Sequence, residues 1–134
     1  MSMMKIFNIS GSAISAQSQR LNVVASNMAN AESLAGPDGQ TYKSRQVVFQ
    51  TEPTKDGGAG VKVSSIIEDS APAKRVYEPG HPMADGEGFI TQSNVNVVEE
   101  MVNMMSASRS YQNNIEVMNT ARQLLQKTLQ LGQS

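Results

Sequence analysis

The sequence predicts a mainly α chain with a small β-containing middle, its long N- and C-terminal helices pairing as a coiled-coil-like hairpin. Three observations predict this. All five prolines and eight of the ten glycines lie between Gly36 and Gly88, and these residues break helices. The flanks, residues 5–30 and 96–131, hold only Gly11 between them. Both flanks carry apolar residues at helical spacing. The chain therefore divides into 1–33, an N-terminal helix with its exit; 34–92, an irregular and β middle; and 93–134, a C-terminal helix forming one structural unit with 1–33.

In the N-terminal flank an apolar residue recurs every seven positions, at Phe7, Ile14, Leu21 and Met28. Val24 and Ala25 fill the intermediate position, where Ser10 and Gln17 weaken the earlier turns. So narrow a stripe is closer to a coiled-coil seam than to the broad face of a globular core helix. Most of its other faces carry Ser, Asn, Gln or Ala, and Lys5 and Arg20 are the only charges before Glu32. A helix over 5–30 would be roughly 40 Å long.

Two segments of the middle have strand character: 43–51, with Val47-Val48-Phe49, and 60–68, with Val61, Val63, Ile66 and Ile67. Asp56-Gly57-Gly58-Ala59-Gly60 reads as the hairpin connection between them. Arg75-Val76-Tyr77 and Gly88-Phe89-Ile90 are shorter candidates on either side of the rigid Pro79-Gly80-His81-Pro82. Strands of this number and size make a small, marginal unit.

The C-terminal flank has the clearest period. Met101, Met104, Ser108, Tyr111, Ile115, Met118, Arg122, Leu125 and Leu129 follow in steps of three and four. Asn96, three residues before Glu99, is placed to cap the helix, and Glu99 and Glu100 suit its positive end. Lys127 suits the other end, and Gly132 terminates it.

Composition excludes several functions. A formal charge of -1 removes a general electrostatic case for nucleic acid or an anionic membrane surface. There are no cysteines, so disulfides, thiolate nucleophiles and zinc–cysteine sites are excluded. No stretch approaches the ~20 apolar residues of a membrane span, and no signal peptide is visible at the start of the chain. His81, Asp85 and Glu87 lie close together beside Tyr77, but His81 is the only histidine and is wedged between Gly80 and Pro82. The prolines there point to a conformational role. Gly86-Glu87-Gly88 lacks the spacing and lysine of a phosphate loop. No catalytic, cofactor-binding or metal-binding residues are expected, and the chain reads as a non-enzyme.

The helix faces point instead to assembly. Only 17% of residues are charged, against roughly 25% in an ordinary domain. Two helices that buried only their stripes would turn long, nearly uncharged Ser/Asn/Gln/Ala faces to water. Packing several copies side by side converts those faces into helix–helix contacts, because burying amides and hydroxyls costs far less than burying ions. The expected subunit-packing residues are Phe7, Ile14, Leu21 and Met28 on the first helix, with Met101, Met104, Tyr111, Ile115, Met118, Leu125 and Leu129 on the second. The termini of a free copy are expected to gain helix on assembly.

Val24-Ala25-Ser26-Asn27-Met28-Ala29-Asn30-Ala31-Glu32-Ser33 resembles the signature of the flagellar rod and hook axial proteins: an Asn, an apolar residue, Ala-Asn, then Ser or Thr. The segments 94–102 and 108–112 resemble that family's C-terminal helix. The run 76–82, with Ala84-Asp85 and Gly88-Phe89, is similar to a proximal-rod member of the family. The resemblance implies a structural subunit of the flagellar basal-body rod, exported by the flagellar type III apparatus without signal cleavage. It also implies that copies assemble in the periplasm into a tube that transmits torque from motor to hook, with other copies and other rod proteins as partners. Asn27, Ala29 and Asn30 are the motif residues, and the two asparagines are expected to fix the turn out of the helix. The competing reading is a cytoplasmic helical secretion chaperone or adaptor.

Overall fold

The computed structural model describes residues 3–132; the outermost residues of both terminal segments, 1–2 and 133–134, lie outside it. Two long helices flank four strands in the order α1 (Met3–Ala29), β1 (Arg45–Pro53), β2 (Ala59–Glu68), β3 (Lys74–Tyr77), β4 (Phe89–Gln92) and α2 (Val97–Gly132). The strands form two separate antiparallel pairs, β1 with β2 and β3 with β4, where the sequence suggested one small unit. The first pair packs along α1, whereas the second is tied to the segment that follows α1, through the Leu34–Gln92 bridge and the Ala35–Thr91 hydrogen bond.

The helices pack against each other antiparallel. Asn27, near the end of α1, bonds Glu100 in the first turn of α2; Ile6, at the opposite end of α1, lines a cleft with Ala121 and Leu124. On α2 Glu100, Met104, Ala107, Tyr111, Asn114, Met118, Ala121 and Leu125 are buried or half-buried in steps of four and three, and Val97, Asn103, Ser108 and Ser110 are half-buried as well. Within the single chain the inward face is therefore shifted from the expected stripe. Met104, Ser108, Tyr111, Met118 and Leu125 are covered, whereas Met101, Ile115, Arg122 and Leu129 are exposed. Backbones approach most closely where side chains are small, so Ala107 and Ala121 occupy the seam and the larger Met101 and Ile115 are rotated out to solvent. The same preference appears on α1. There Ser10, Ala16, Val24 and Asn27 are buried, while Phe7, Ile14, Leu21 and Met28 are half-buried. Lys127 also falls short of the last turn of α2, which contains no basic residue.

The β1–β2 hairpin lies along α1. Nine strand residues at about 3.4 Å each span roughly 30 Å, and the helix from Asn8 to Asn27 rises by nearly the same distance. The strand therefore starts beside Asn27, whose side chain bonds the Arg45 backbone, and its turn reaches the opposite end, where Asn8 Nδ2 donates to Asp56 Oδ2 at 3.2 Å. Between these points Ser12 Oγ accepts the Val61 amide at 3.1 Å and donates to the Ile9 carbonyl at 2.7 Å. Gly60 permits that approach, because a Cβ there would stand 2.8 Å from Ser12 Oγ.

The core is small in volume. Its buried apolar residues are Ala16, Val24, Ala31, Ile90, Val95, Ala107 and Ala121, and the largest fully buried side chains are Val95, Asn27 and Ser93. The chain exposes 8908 Å², where a compact monomer of 14.4 kDa exposes about 6,800 Å². Of the fifteen large apolar side chains exposed among the described residues, nine lie on α2.

Gly60→Ala will force Ser12 away from the strand at a cost of about 1–3 kcal/mol. Hydrogen exchange should show lost protection at Val61 and along the hairpin, with the helical circular dichroism retained.

Candidate functional site: the asparagine junction and the outer flank of the second helix

The exit of α1, the start of β1 and the entry of α2 converge on Asn27, which is wholly buried. Its amide nitrogen donates to the Arg45 carbonyl at 2.8 Å and to Glu100 Oε2 at 3.1 Å. Its amide oxygen accepts the Arg45 N–H at 3.0 Å and the Tyr42 hydroxyl at 2.8 Å. An amide offers two donors and two acceptor positions, and all four are used. Tyr42 is held a second time by Ser26 Oγ at 3.1 Å, and the Arg45 guanidinium lies 5.5 Å from its ring centre. One side chain thus ties α1 to the middle segment and to α2.

Asn30 has the local role expected of it: Nδ2 donates to the Ser26 carbonyl at 2.9 Å, and Ser33 Oγ donates to the Asn30 carbonyl at 2.8 Å. Asn27 does not. Its partners are 15 to 73 residues away, so it joins elements and leaves the turn itself to Asn30. Ala29 closes α1 as an exposed residue.

A second lattice was missed from the sequence. Buried Ser93 donates to the Ala31 carbonyl at 2.8 Å, and the Ala35 amide donates to the Thr91 carbonyl at 2.9 Å. Asn94 Oδ1 accepts the Ser44 amide at 2.7 Å, while its Nδ2 donates to the Asp69 and Ala71 carbonyls at 3.1 and 2.9 Å. The open end of the β1–β2 hairpin is thereby clamped to the approach to α2. Asn96 then caps that helix as expected, accepting the Val98 and Glu99 amides at 3.1 and 3.2 Å. Alternating polar residues, Ser93, Asn94 and Asn96 around Val95, were the available signal.

His81 serves its loop. Its Nδ1 accepts the Met83 amide at 3.0 Å, and its carbonyl accepts the Ala84 amide at 3.0 Å. Asp85 Oδ1 accepts the amides of Glu87 and Phe89 at 2.9 and 3.0 Å, and Oδ2 lies 2.9 Å from the Arg75 guanidinium. Arg75 also stacks 4.6 Å from the Phe89 ring centre, and Phe89 meets Tyr77 edge-on at 5.2 Å. Gly88, at φ 86°, passes where a Cβ would strike Tyr77 and Pro79. The amide of Phe89, followed by that of Glu87 and by Arg75, holds the Asp85 carboxyl below its ordinary pKa against a partial loss of hydration.

The remaining expected packing residues divide between two surfaces. Phe7, Ile14, Leu21 and Met28 on α1, and Met104, Tyr111, Met118 and Leu125 on α2, are half-buried. Met101, Ile115 and Leu129 stand exposed on the outer side of α2, at 49%, 37% and 58%.

The family comparisons fall on these helices. Residues 7–32 match the family described as flagella basal body rod protein, and residues 87–131 match the C-terminal part of the flagellar basal body rod FlgEFG proteins. The chain is 59% identical over 134 residues to a protein of Salmonella typhimurium, covering 99% of this chain and 100% of that one. It is 58% identical over 134 residues to one from Escherichia coli O157:H7, at 99% and 100% coverage. A relative in Buchnera aphidicola subsp. Baizongia pistaciae is 38% identical over 136 residues, at the same coverage. The chain belongs to the flagellar basal-body rod protein family and is a structural, non-enzymatic component of the flagellar basal body. Those three full-length relatives carry the name flagellar basal-body rod protein FlgC. No helix among the described residues is long and apolar enough to cross a membrane.

Asn27→Ala will leave the Arg45 backbone, Tyr42 and Glu100 short of partners in a buried site, costing on the order of 3 kcal/mol in urea unfolding, whereas Asn30→Ala will cost about 1 kcal/mol. Because the Asp85 pKa is depressed on folding, its contribution is present above the ordinary aspartate range and is lost as pH falls through the lowered value. The Glu87 and Phe89 amide signals should move together in an acid titration, with a midpoint below that of an unstructured aspartate, and Asp85→Asn should abolish the transition.

Proposed function

We propose that this chain is a proximal-rod subunit whose terminal helices pack as a coiled-coil-like unit with those of neighbouring copies and of other rod proteins, in a tube that transmits torque from motor to hook. The observation that carries this is the surface the lone chain leaves uncovered. It exceeds that of a compact monomer of its mass by about 2,000 Å², and a standard interface covers only about 800 Å² per partner. One partner is too few; several neighbours, as in a tube, are the right number. The segments 1–33 and 93–134 then form the inner helical layer and 34–92 the outer one. Export through the flagellar type III apparatus without signal cleavage, and assembly in the periplasm, complete the reading. The chaperone alternative gives way to the family assignment.

Met101, Ile115 and Leu129 are the discriminating positions, because they are exposed in the single chain. Met101→Asp, Ile115→Asp and Leu129→Asp should each keep the helical circular dichroism yet fail to restore rods and swimming to a strain lacking this protein, since a buried unpaired charge costs several kcal/mol. Leu125→Asp, at a half-buried site, should lose stability as well. Full swimming by the three exposed variants would remove the outer flank of α2 from the assembly.

A further inference from the structure

We propose that β3, β4 and the short segment after α1 form a clasp that is ordered in the free chain, holding the exit of α1 beside the entry of α2 while both helices are still unformed. β4 is the central strand of this unit. On one side it pairs with β3, from Lys74 opposite Gln92 to Tyr77 opposite Phe89. On the other, Leu34 bridges Gln92, and the Ala35 amide donates to the Thr91 carbonyl at 2.9 Å. Among the described residues neither β3 nor β4 packs on α1, on α2 or on the first hairpin.

The clasp draws its stability from within. A bare two-stranded hairpin is marginal in water, but here a third segment lies along β4. Ile90, mid-strand and opposite Val76, is 3% exposed and shares a small recess with Leu34 and Ala35. The long connection closes on itself as well. The Glu78 amide donates to the Gly88 carbonyl and the Asp85 amide to the Phe89 carbonyl, each at 2.9 Å, and the Gly88 amide donates to the Asp85 carbonyl at 3.0 Å. Arg75 joins both layers, bonding Asp85 and lying over Phe89. None of these groups belongs to a helix. The first hairpin differs, because it leans on α1 through Asn8, Ser12 and Asn27, and so it forms only with that helix.

The position of the clasp gives it a use. Ser93 Oγ donates to the Ala31 carbonyl at 2.8 Å, and Lys74 Nζ donates to the Val95 carbonyl. The chain just after α1 and the chain just before α2 are thus fixed to one unit. Left flexible, the roughly 65 residues from Glu32 to Val98 would hold their ends about 45 Å apart. With the clasp closed, Asn27 and Glu100 meet as soon as the helices form, and pairing becomes a local closure rather than a long-range search. The device requires only that the terminal helices of a free copy be unformed; it does not depend on the tubular reading.

The chain contains no cysteine, so spin labels at Glu32→Cys and Val98→Cys, both exposed positions, can measure this separation in the dilute full-length chain. A short, narrow distance is expected. Hydrogen exchange should show protected amides at Ala35, Gly88 and Phe89 and free exchange along both helical segments. Gly88→Val places a branched side chain where a Cβ alone would stand 2.9 Å from the Tyr77 ring, and it should open the separation towards about 45 Å. Gly80→Ala, where a Cβ meets nothing within 4 Å, should leave it unchanged. Ala35→Pro removes the amide bonded to Thr91 and should lengthen the separation while Gly88 and Phe89 stay protected. A coil-like separation in the unaltered chain, an unchanged one in Gly88→Val, or helical segments as well protected as the clasp would overturn the proposal. No rod is needed for these measurements, so the swimming assay stands or falls separately.

Discussion

A single buried amide governs how this chain is put together. Asn27 has no room for water and no spare hydrogen-bonding capacity, so the positions of Tyr42, Arg45 and Glu100 are set by one another through it. An apolar side chain there would tolerate small slips of α2 along α1. Four directional bonds do not. The fixed register then decides which residues of each helix face inward, and so which are left outside. That Glu100 is buried only 3% exposed beside this amide, while adjacent Glu99 is exposed, shows how sharply the register is defined.

The inward choice favours small residues. With Ala107 and Ala121 in the seam of α2, and Ser10 and Ala16 buried on α1, the helices lie close but gain little apolar burial from each other. The larger side chains go to the rim or the outside. In an ordinary monomer that would be a poor exchange, since large buried side chains supply most of the hydrophobic stabilisation. For a structural rod component, the same arrangement keeps the larger apolar groups on the surface that other chains can reach.

The helices, the Asn96 cap and the strand segments with the first hairpin connection were legible in the sequence because Pro, Gly and Asn act locally, whereas the pairing of β3 with β4 was not. The limits of β2, the connection at 56–60 and the Asn96 cap follow from short-range chemistry. The inward face of α2 was not legible. Met101 and Ile115 fit the apolar period as well as Ala107 and Ala121 do, and only the close approach of α1 separates them. Asn27 was legible as a motif residue but not as a junction, since its partners lie up to 73 residues away. Ser93 and Asn94 were missed for the same reason. Their partners are backbone groups of distant segments, and backbone groups leave no mark in a side-chain pattern.

The equal reach of the β1–β2 hairpin and α1 makes one a ruler for the other. Its anchors lie at both ends, at Arg45 and at Asp56, so neither element can change length alone. One added helical turn lengthens α1 by about 5.4 Å. To keep both anchors, each strand would need to grow by roughly one and a half residues, which a pleated ladder cannot supply in a single step without turning its side chains to the opposite face. Changes of size in this molecule are therefore more easily taken up in the loop between β3 and β4, which carries neither anchor.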